Sequence, residues 1–452
     1  MPEASGLSGA ELRRKVVHMA VGGFAFLLRE LTWPQAAALA LAAFLFNWQV
    51  LPRIGGRGLW RSEEAGRGYA RGILLYPLSV LALVLVFHDA LWKAAAVWAI
   101  LAFGDGMASV VGLWRGGRRL PWNEGKSWNG FLAFLVFGTL GALGLTAWTL
   151  RLSGAALSPG LLAGLAAVVL FCALVESLPT TLDDNVTVPL AGAAGLWLLA
   201  EARTGTLLAD PDAPHRLLVG LAVNVAVGAL AFFARSIDLA GALSAVLIGT
   251  AITLGLGLAG FALMAAFFVI GSVVTRVGYS VKAARGIAQE RGGARGWRNA
   301  WANGGVAAVL ALLAGMSEGP ARLLYAVAYA AAVATAAADT CSSEVGKAYG
   351  RRTVLITTLR PVPPGTEGAV SLEGTLAALL GAVLVACVGR AGGLYSWPLA
   401  ALVASAGLLG SLAESVIGTV AERRGWMGND ALNALNTALG AAFAVAMLRI
   451  AT

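Results

Sequence analysis

The sequence has few charged residues, because only 13% of its 452 residues are Asp, Glu, Lys or Arg whereas 58% are hydrophobic. Its mean hydropathy of +0.76 is too high for a water-soluble globule of this length. Cysteine is scarce as well, and Cys172, Cys341 and Cys387 lie in apolar surroundings. Three such cysteines exclude a disulfide framework and a cysteine-based zinc site. The composition indicates a protein embedded in a membrane.

The common signatures of soluble nucleotide-binding proteins are also missing. The sequence contains no Walker lysine loop, no kinase glycine loop and no His-x-Glu zinc pattern. Runs such as Ala94 to Val111 lack the alternation of apolar and polar residues that outer-membrane β-barrel strands require. Any chemistry must therefore be built on membrane-spanning helices.

The sequence does contain about 15 apolar runs of roughly 17 to 25 residues, which predict an all-α polytopic membrane protein. The net charge of +9 comes from basic residues in short loops, for example Arg13 to Lys15, and not from one soluble face. This is the positive-inside pattern and not a nucleic-acid surface. We expect a multi-pass protein of a bacterial inner membrane, with these loops in the cytoplasm and a first span that is retained.

Three pairs of polar segments recur in the same order, at offsets of 234, 244 and 238 residues, and predict an internal duplication. We expect a seven-helix unit over residues 1–208, a joining helix over 209–235 and a second seven-helix unit over 236–452. The joining helix returns the chain to the cytoplasm, so that both acidic sites face that compartment; an inverted-repeat transporter would require antiparallel halves. The pairs are Asp105–Ser109 with Asp339–Ser343, Ser127–Gly130 with Ser371–Gly374, and Glu176–Ser177 with Glu414–Ser415.

Carboxylates at the ends of spans predict a metal site in the first unit. Asp105 lies between two glycines directly after an apolar run, and Glu176 ends a later run. Asp183, Asp184 and Asn185 follow in the next turn. Ionisable residues are costly there unless they bind a partner, and clustered carboxylates repel one another unless a hard cation neutralises them. We expect these five residues to hold Mg²⁺, with either Asp105 or Asp184 orienting or deprotonating the substrate hydroxyl.

A basic loop follows Asp105 and predicts phosphate binding. Lys126 is expected to neutralise charge during catalysis, and Ser127 is placed to cap the next helix. His18 lies behind the first basic cluster, where an interfacial histidine without a catalytic role is the more frequent case. The other candidate phosphate ligands of this loop are Arg115, Arg118, Arg119 and Asn123.

The second unit repeats these types of residue. Asp339, Glu344 and Asp430 are its candidate catalytic groups, and Asp339, Glu414, Asp430 and Asn433 are its candidate metal ligands. Basic and amide side chains nearby would bind phosphate. These are Lys282, Arg298, Asn303, Lys347 and Arg351.

Two sets of segments carry resemblances to known families. In the first half these are Arg14–His18, Gly104–Ser109, Leu120–Asn123, Lys126–Ser127, Gly130 and Leu174–Leu190. Through them the first half resembles phytol kinase and, more distantly, dolichol kinase and phosphatidate cytidylyltransferase. In the second half the segments are Ser272–Gly286, Asn299–Gly305, Ala338–Glu344, Gly365–Gly368, Ser371–Thr375 and Gly428–Asn433. Through them the second half resembles the family that contains the plant phytyl-phosphate kinase.

These resemblances imply CTP as phosphoryl donor and an isoprenoid alcohol or isoprenyl phosphate as acceptor. The resulting hypothesis is a bifunctional membrane kinase that converts phytol, geranylgeraniol or farnesol to the monophosphate and then to the diphosphate, with Mg²⁺ bridging the donor phosphates. The alternatives are a lipid-phosphate cytidylyltransferase, a polyprenyl-phosphate transporter or flippase, and a chain in which one unit regulates the other.

Overall fold

The structure is a computed structural model that describes residues 9–54, 70–152, 158–179, 181–199, 204–287, 296–421 and 427–451. The chain divides into two compact units, Met1–Ala200 and Glu201–Thr452. In the described residues, nine helices are long and apolar enough to cross a membrane. The protein is an all-α multi-pass membrane protein, as predicted. The number of about 15 spans and the assignment of seven helices to each unit stay predictions.

The first unit consists of eight α-helices, three short 3₁₀ or π segments and a two-stranded hairpin within the described residues. Strands β1 and β2 pair in antiparallel fashion. The helices and strands are α1 (Gly9–Gly22), a 3₁₀ segment (Gly23–Arg29), α2 (Trp33–Leu45), a π segment (Phe46–Val50), α3 (Arg71–Val86), α4 (Leu91–Ala99), a π segment (Ile100–Asp105), α5 (Gly106–Arg115), β1 (Arg119–Leu120), β2 (Asn123–Ser127), α6 (Trp128–Thr149), α7 (Pro159–Glu176) and α8 (Asp184–Leu199).

The second unit begins with two helices that precede its longest one, and the helix predicted as a joining span packs within this unit. Strands β3 and β4 again form an antiparallel hairpin. The elements are α9 (Thr204–Ala209), α10 (Ala213–Phe233), α11 (Leu239–Arg276), α12 (Tyr279–Ala284), α13 (Trp297–Gly315), α14 (Gly319–Tyr349), β3 (Val354–Leu355), β4 (Ala369–Val370), α15 (Leu372–Ala391), α16 (Trp397–Ala421) and α17 (Asn429–Ala451).

Each unit is built around one central helix. In the first unit every residue from Ala94 to Ala102 is buried, and so are Gly104 and Asp105 at the end of the π segment. In the second unit every residue from Tyr325 to Ala338 is buried, and Asp339 follows directly. Alanine dominates both runs because small side chains let neighbouring helices approach closely in a membrane. The central helices thus deliver one aspartate each to the end of a buried apolar segment.

The helix after each hairpin starts in the same way in both units. The Ser127 hydroxyl accepts a hydrogen bond from the Gly130 amide at 3.2 Å, which is the helix cap predicted from the sequence. The Ser371 hydroxyl accepts one from the Gly374 amide at 3.1 Å. Each cap satisfies a backbone amide in the first turn of the helix that follows the hairpin.

The two capped helices also meet their central helices in the same way. A Cβ atom built on Gly130 would lie 2.9 Å from the Ala108 carbonyl oxygen, and one built on Gly374 would lie 2.9 Å from the Ser342 carbonyl oxygen. Both positions require glycine. In each unit the contacted carbonyl group belongs to the residue three positions after the central aspartate.

Helix α11 reverses direction at Gly257, whose φ of 66° and ψ of −164° lie outside the helical region. A Cβ atom on Gly260 would lie 3.1 Å from Cγ2 of Ile252, whereas eight residues of a continuous helix span about 12 Å. Glycine is needed at the turn because other residues rarely adopt positive φ. The Arg216 side chain donates a hydrogen bond to the Leu254 carbonyl oxygen at 3.1 Å, next to this turn.

Candidate functional site

Three carboxylates of the first unit form one cluster. Asp105 ends the π segment, Glu176 ends α7 and Asp184 begins α8, and each contributes one oxygen to a group whose members lie within 4.8 Å of one another. This is the only such group of acidic, histidine or cysteine side chains among the described residues. Asp105 and Glu176 are buried, and Asp184 is partly exposed. The cluster brings together residues from positions 105 to 184 that the sequence analysis proposed as metal ligands.

Lys126 lies against this cluster. Its ammonium group contacts Glu176 and lies 3.7 Å from a carboxylate oxygen of Asp184. Burial alone would lower the pKa of Lys126, but the negative charges of Glu176, Asp184 and Asp105 outweigh burial and hold the pKa above its ordinary value. Lys126 therefore stays protonated across the physiological pH range.

Helix α1 supplies two further groups that the sequence analysis did not assign to the site. The Lys15 ammonium nitrogen lies 2.9 Å from Oδ2 of Asp105, and Nε2 of His18 lies 3.5 Å from the same oxygen. The same His18 nitrogen lies 3.0 Å from the Leu101 carbonyl oxygen. Lys15 was attributed to membrane topology and His18 to the interface. The available signal was their spacing of three residues, which places both on one face of α1.

The oxygen atoms at this site fit a hard divalent cation. Oδ1 of Asp105 and Oδ1 of Asn185 are buried and have no hydrogen-bond partner among the described residues. A buried acceptor without a partner is costly unless an ion or water satisfies it. Mg²⁺ prefers oxygen ligands at about 2.1 Å, and such ligands lie roughly 3 to 4 Å apart. Asp105, Glu176 and Asp184 therefore fit Mg²⁺, with Asn185 close by.

Asp183 serves the turn before α8. Its Oδ1 accepts hydrogen bonds from the Asn185 backbone amide at 3.0 Å and from the Asn185 side-chain amide at 2.7 Å. Ser79 on α3 donates a hydrogen bond to the Asn185 carbonyl oxygen. These contacts orient Asn185, so the structure gives Asp183 a positioning role in addition to the ligand role predicted for it.

The hairpin is fastened next to Glu176. The Asn123 amide donates to the Ser177 carbonyl oxygen at 3.0 Å, and the Trp122 indole donates to the Ser177 hydroxyl at 3.0 Å. Asn123 and Ser127 thus hold the backbone that carries Lys126. The other predicted phosphate ligands of this loop are exposed, and the structure does not bring them into the carboxylate cluster. These are Arg115, Arg118 and Arg119.

The second unit pairs the same two carboxyl positions directly. The carboxyl groups of Asp339 and Glu414 lie within interaction reach of each other, and Lys347, Glu367 and Glu344 act on Asp339 electrostatically. Two neighbouring carboxyl groups require a proton or a cation between their oxygens, because two negative charges would repel each other. Position 370, which corresponds to Lys126 at the offset of the serine caps, is valine. The hairpin therefore brings no ammonium group to Glu414.

A buried ion pair lies beside these carboxyl groups. Lys282 is fully buried, contacts Glu344 and donates a hydrogen bond to the Thr275 carbonyl oxygen at 2.8 Å. Neither side chain can leave the pair without exposing an unpaired charge to the interior. Lys282 and Glu344 thus form a buried ion pair near Asp339, and the phosphate-binding role of Lys282 and the catalytic role of Glu344 stay predictions.

The remaining predicted residues of this unit lie farther along its helices. The Asn303 amide donates to the Asn299 carbonyl oxygen within α13, and the Arg298 guanidinium lies 5.5 Å from the Trp297 ring. The Arg351 backbone amide donates to a Glu373 carboxylate oxygen at 3.4 Å. Asp430 and Asn433 lie in the first two turns of α17, where Asn433 is buried.

Comparison with known proteins gives relatives for parts of this chain. Residues 222–441 match the family described as integral membrane protein DUF92. The uncharacterized membrane protein sll0875 of Synechocystis sp. is 43% identical over 199 residues, which are 44% of this chain and 77% of that protein.

Two plant proteins are similar as well. The chloroplastic protein VTE6 of Arabidopsis thaliana is 40% identical over 212 residues, which are 46% of this chain and 64% of that protein. The probable phytol kinase 3 of Glycine max, also chloroplastic, is 32% identical over 197 residues, which are 40% of this chain and 60% of that protein. The chain thus covers less than two thirds of either plant protein.

No solved structure matches this chain. The match to residues 222–441 and the similarity to sll0875 over 77% of that protein establish the family. The chain belongs to the DUF92 integral membrane protein family.

Proposed function

We propose that this protein is a membrane phosphotransferase that acts on isoprenoid alcohols and isoprenyl phosphates. The carboxylate cluster of Asp105, Glu176 and Asp184, with Lys126 against it, carries the proposal. The cluster combines cation ligands with a protonated amine at the end of buried apolar helices, where a prenyl chain can lie among the spans. The relative that is named a probable phytol kinase supports this class of acceptor.

In the first unit we assign binding of Mg²⁺ to Asp105 and Glu176, with Asp184 between ion and substrate. When bound, Mg²⁺ neutralises the charge of the donor phosphates. Lys126 adds positive charge on the side of the transferred phosphoryl group. Asp184 is the most exposed of the three carboxylates, so it is the group that can orient the acceptor hydroxyl and take its proton. Lys15 holds Asp105 in place.

In the second unit we assign the binding of Mg²⁺ to Asp339 and Glu414, with Lys347 close enough to act on Asp339 electrostatically. The acceptor would be the monophosphate made by the first unit, and the product would be the diphosphate. We further propose that CTP is the donor, that both sites open toward the cytoplasm, and that the two units arose by duplication. The matching serine caps and glycine contacts of the units support the last point.

The test is an assay of the purified full chain with geranylgeraniol, Mg²⁺ and each nucleoside triphosphate in turn. The proposal predicts prenyl monophosphate and diphosphate, together with one nucleoside diphosphate for each transfer. Release of pyrophosphate with formation of a CDP-lipid would identify a cytidylyltransferase instead. Movement of polyprenyl phosphate across liposomes without nucleotide consumption would identify a transporter.

A further inference from the structure

Helices α14, α16 and α17 of the second unit cross so closely at one point that α16 and α17 each have a glycine there. A Cβ atom built on Gly440 of α17 would lie 1.8 Å from Oγ1 of Thr335, and one built on Gly410 of α16 would lie 2.6 Å from its Cγ2. The same atom on Gly410 would lie 3.1 Å from the Gly440 Cα. Both glycines therefore face α14 at Thr335, which fixes the register of the three helices.

This register places three polar side chains at one level. Asp339 lies four residues after Thr335, and Glu414 lies four residues after Gly410, so each is one turn farther along its helix on the same face. Gly407 lies against Ala334 and Gly410 against Thr335, so α14 and α16 run in the same direction here, and Asp339 and Glu414 come within reach of each other. Helix α17 runs antiparallel to α16, because Gly410 lies against Gly440 and Gly418 lies against Leu432. The residue of α17 at the level of Asp339 and Glu414 is therefore one turn before Gly440. That position is Asn436.

The Asn436 side chain carries a buried hydrogen-bond acceptor that is unsatisfied within the described part of the chain. The residue is only 1% exposed, and its Oδ1 atom has no hydrogen-bond partner among the described residues. An amide oxygen without a partner in a membrane interior is costly, because no water replaces the missing donor. It lies on the face of α17 that is directed at Asp339 and Glu414, which supply carboxyl oxygens. A cation is the ligand that satisfies acceptors from three helices at once.

We infer that the Asn436 amide oxygen completes a divalent-cation site with the carboxylates of Asp339 and Glu414. This inference rests on the proposed function and adds a ligand to it. It also locates the site in α17 at Asn436 and not at Asp430, which lies six residues, or about 9 Å along the helix axis, nearer the helix start.

The experiment measures Mn²⁺ bound to the purified full chain in detergent, by electron paramagnetic resonance, for the parent and three variants. Asn436→Leu keeps the size of the side chain and removes the oxygen, whereas Asn436→Asp keeps an oxygen at the same place. Thr437→Val is the matched control, because Thr437 is the next residue, is fully buried, and donates its hydroxyl within α17 to the Ala434 carbonyl oxygen. Circular dichroism checks that every variant is folded.

We expect Asn436→Leu to weaken one class of Mn²⁺ sites by roughly tenfold or more, while Asn436→Asp and Thr437→Val retain it. If folded Asn436→Leu binds Mn²⁺ like the parent, the inference is wrong, and the proposed function stands on its other ligands. If the parent binds no Mn²⁺, the inference and the metal-dependent proposal both fail. If Asn436→Leu does not fold, Asn436→Asp decides: unchanged or tighter binding supports the ligand role, and loss of binding overturns it.

Discussion

The Lys15 ammonium nitrogen lies 2.9 Å from Oδ2 of Asp105 and so ties the first helix of the chain to the end of the central buried run. The pair is nearly enclosed, with side-chain exposures of 16% for Lys15 and 4% for Asp105. An enclosed charge that loses its partner is much more costly than an exposed one. Lys15 therefore has a structural as well as an electrostatic role at the site.

Replacing Lys15 by methionine is expected to lower the stability of the protein by about 2 to 4 kcal/mol, because it leaves the Asp105 charge buried without its cation. The matched control is Arg14→Met, since Arg14 pairs with Glu11 across a partly exposed 3.9 Å contact and should change stability by less than about 1 kcal/mol. Thermal unfolding in detergent measures both. Equal losses in the two variants would show that Lys15 acts only as one more basic residue at the membrane surface.

The two central aspartates should affect different products. With geranylgeraniol and nucleotide, Asp105→Asn should abolish formation of the monophosphate, because the first carboxylate cluster loses a charge that the cation requires. Asp339→Asn should leave the first transfer intact, so that monophosphate accumulates. Asp89→Asn, in an exposed turn, serves as control and should behave like the parent. Identical product patterns for the first two variants would contradict separate active units.

Lys126 gives a prediction for the effect of pH. Its folded-state pKa lies above the ordinary lysine value of about 10.4, so its contribution to stability is fully present below pH 10.4 and is lost only as pH rises through the folded pKa. Lys126 itself does not titrate between about pH 7 and 9.5, but without its charge the carboxyl groups of Glu176 and Asp184 become harder to ionise. The loss of melting temperature in Lys126→Met should therefore stay the same or grow as pH rises through this range. A difference that shrinks within this range would mean that the surrounding carboxylates do not hold the proton.

Glycine contacts test whether the two units use the same internal packing. Gly130→Ala and Gly374→Ala should each destabilise the protein by about 1 to 3 kcal/mol, because the new methyl group meets a backbone carbonyl oxygen at 2.9 Å. Gly144→Ala is the control in the same helix as Gly130, since nothing lies within 4 Å of its Cβ position. That change should be neutral or stabilising by up to about 1 kcal/mol. Tolerance of alanine at Gly130 but not at Gly374 would argue against a shared arrangement.

The sequence was sufficient to predict the class of fold and the members of the acidic cluster. Long apolar runs form helices in a membrane, because every backbone polar group must be satisfied there. Carboxylates at the ends of such runs are costly unless they pair with one another, with a cation or with a ligand. Asp105, Glu176 and Asp184 were grouped on that basis, and their oxygens lie within 4.8 Å in the structure. The capping role of Ser127 followed from its place before a helix.

Other parts of the site depend on contacts between distant positions. Lys15 and Asp105 are 90 residues apart, so their pairing leaves no local pattern. Asn436 is an isolated amide in a helix rich in alanine, and only the crossing at Thr335 shows what it faces. Arg115 was grouped with the phosphate ligands by its charge alone, which does not distinguish a ligand from a residue at the membrane surface.

The reversal at Gly257 changes how the longest helix must be counted. An unbroken rod of the 38 residues in α11 would measure about 57 Å, nearly twice the thickness of the hydrocarbon layer. Because the chain doubles back, each half of α11 has about 19 residues and a length of about 28 Å, which is close to the thickness of that layer. One continuous apolar stretch in the sequence is thus long enough for two passages. A topology that counts one passage for each apolar stretch places everything after α11 on the opposite side from a topology that counts two here.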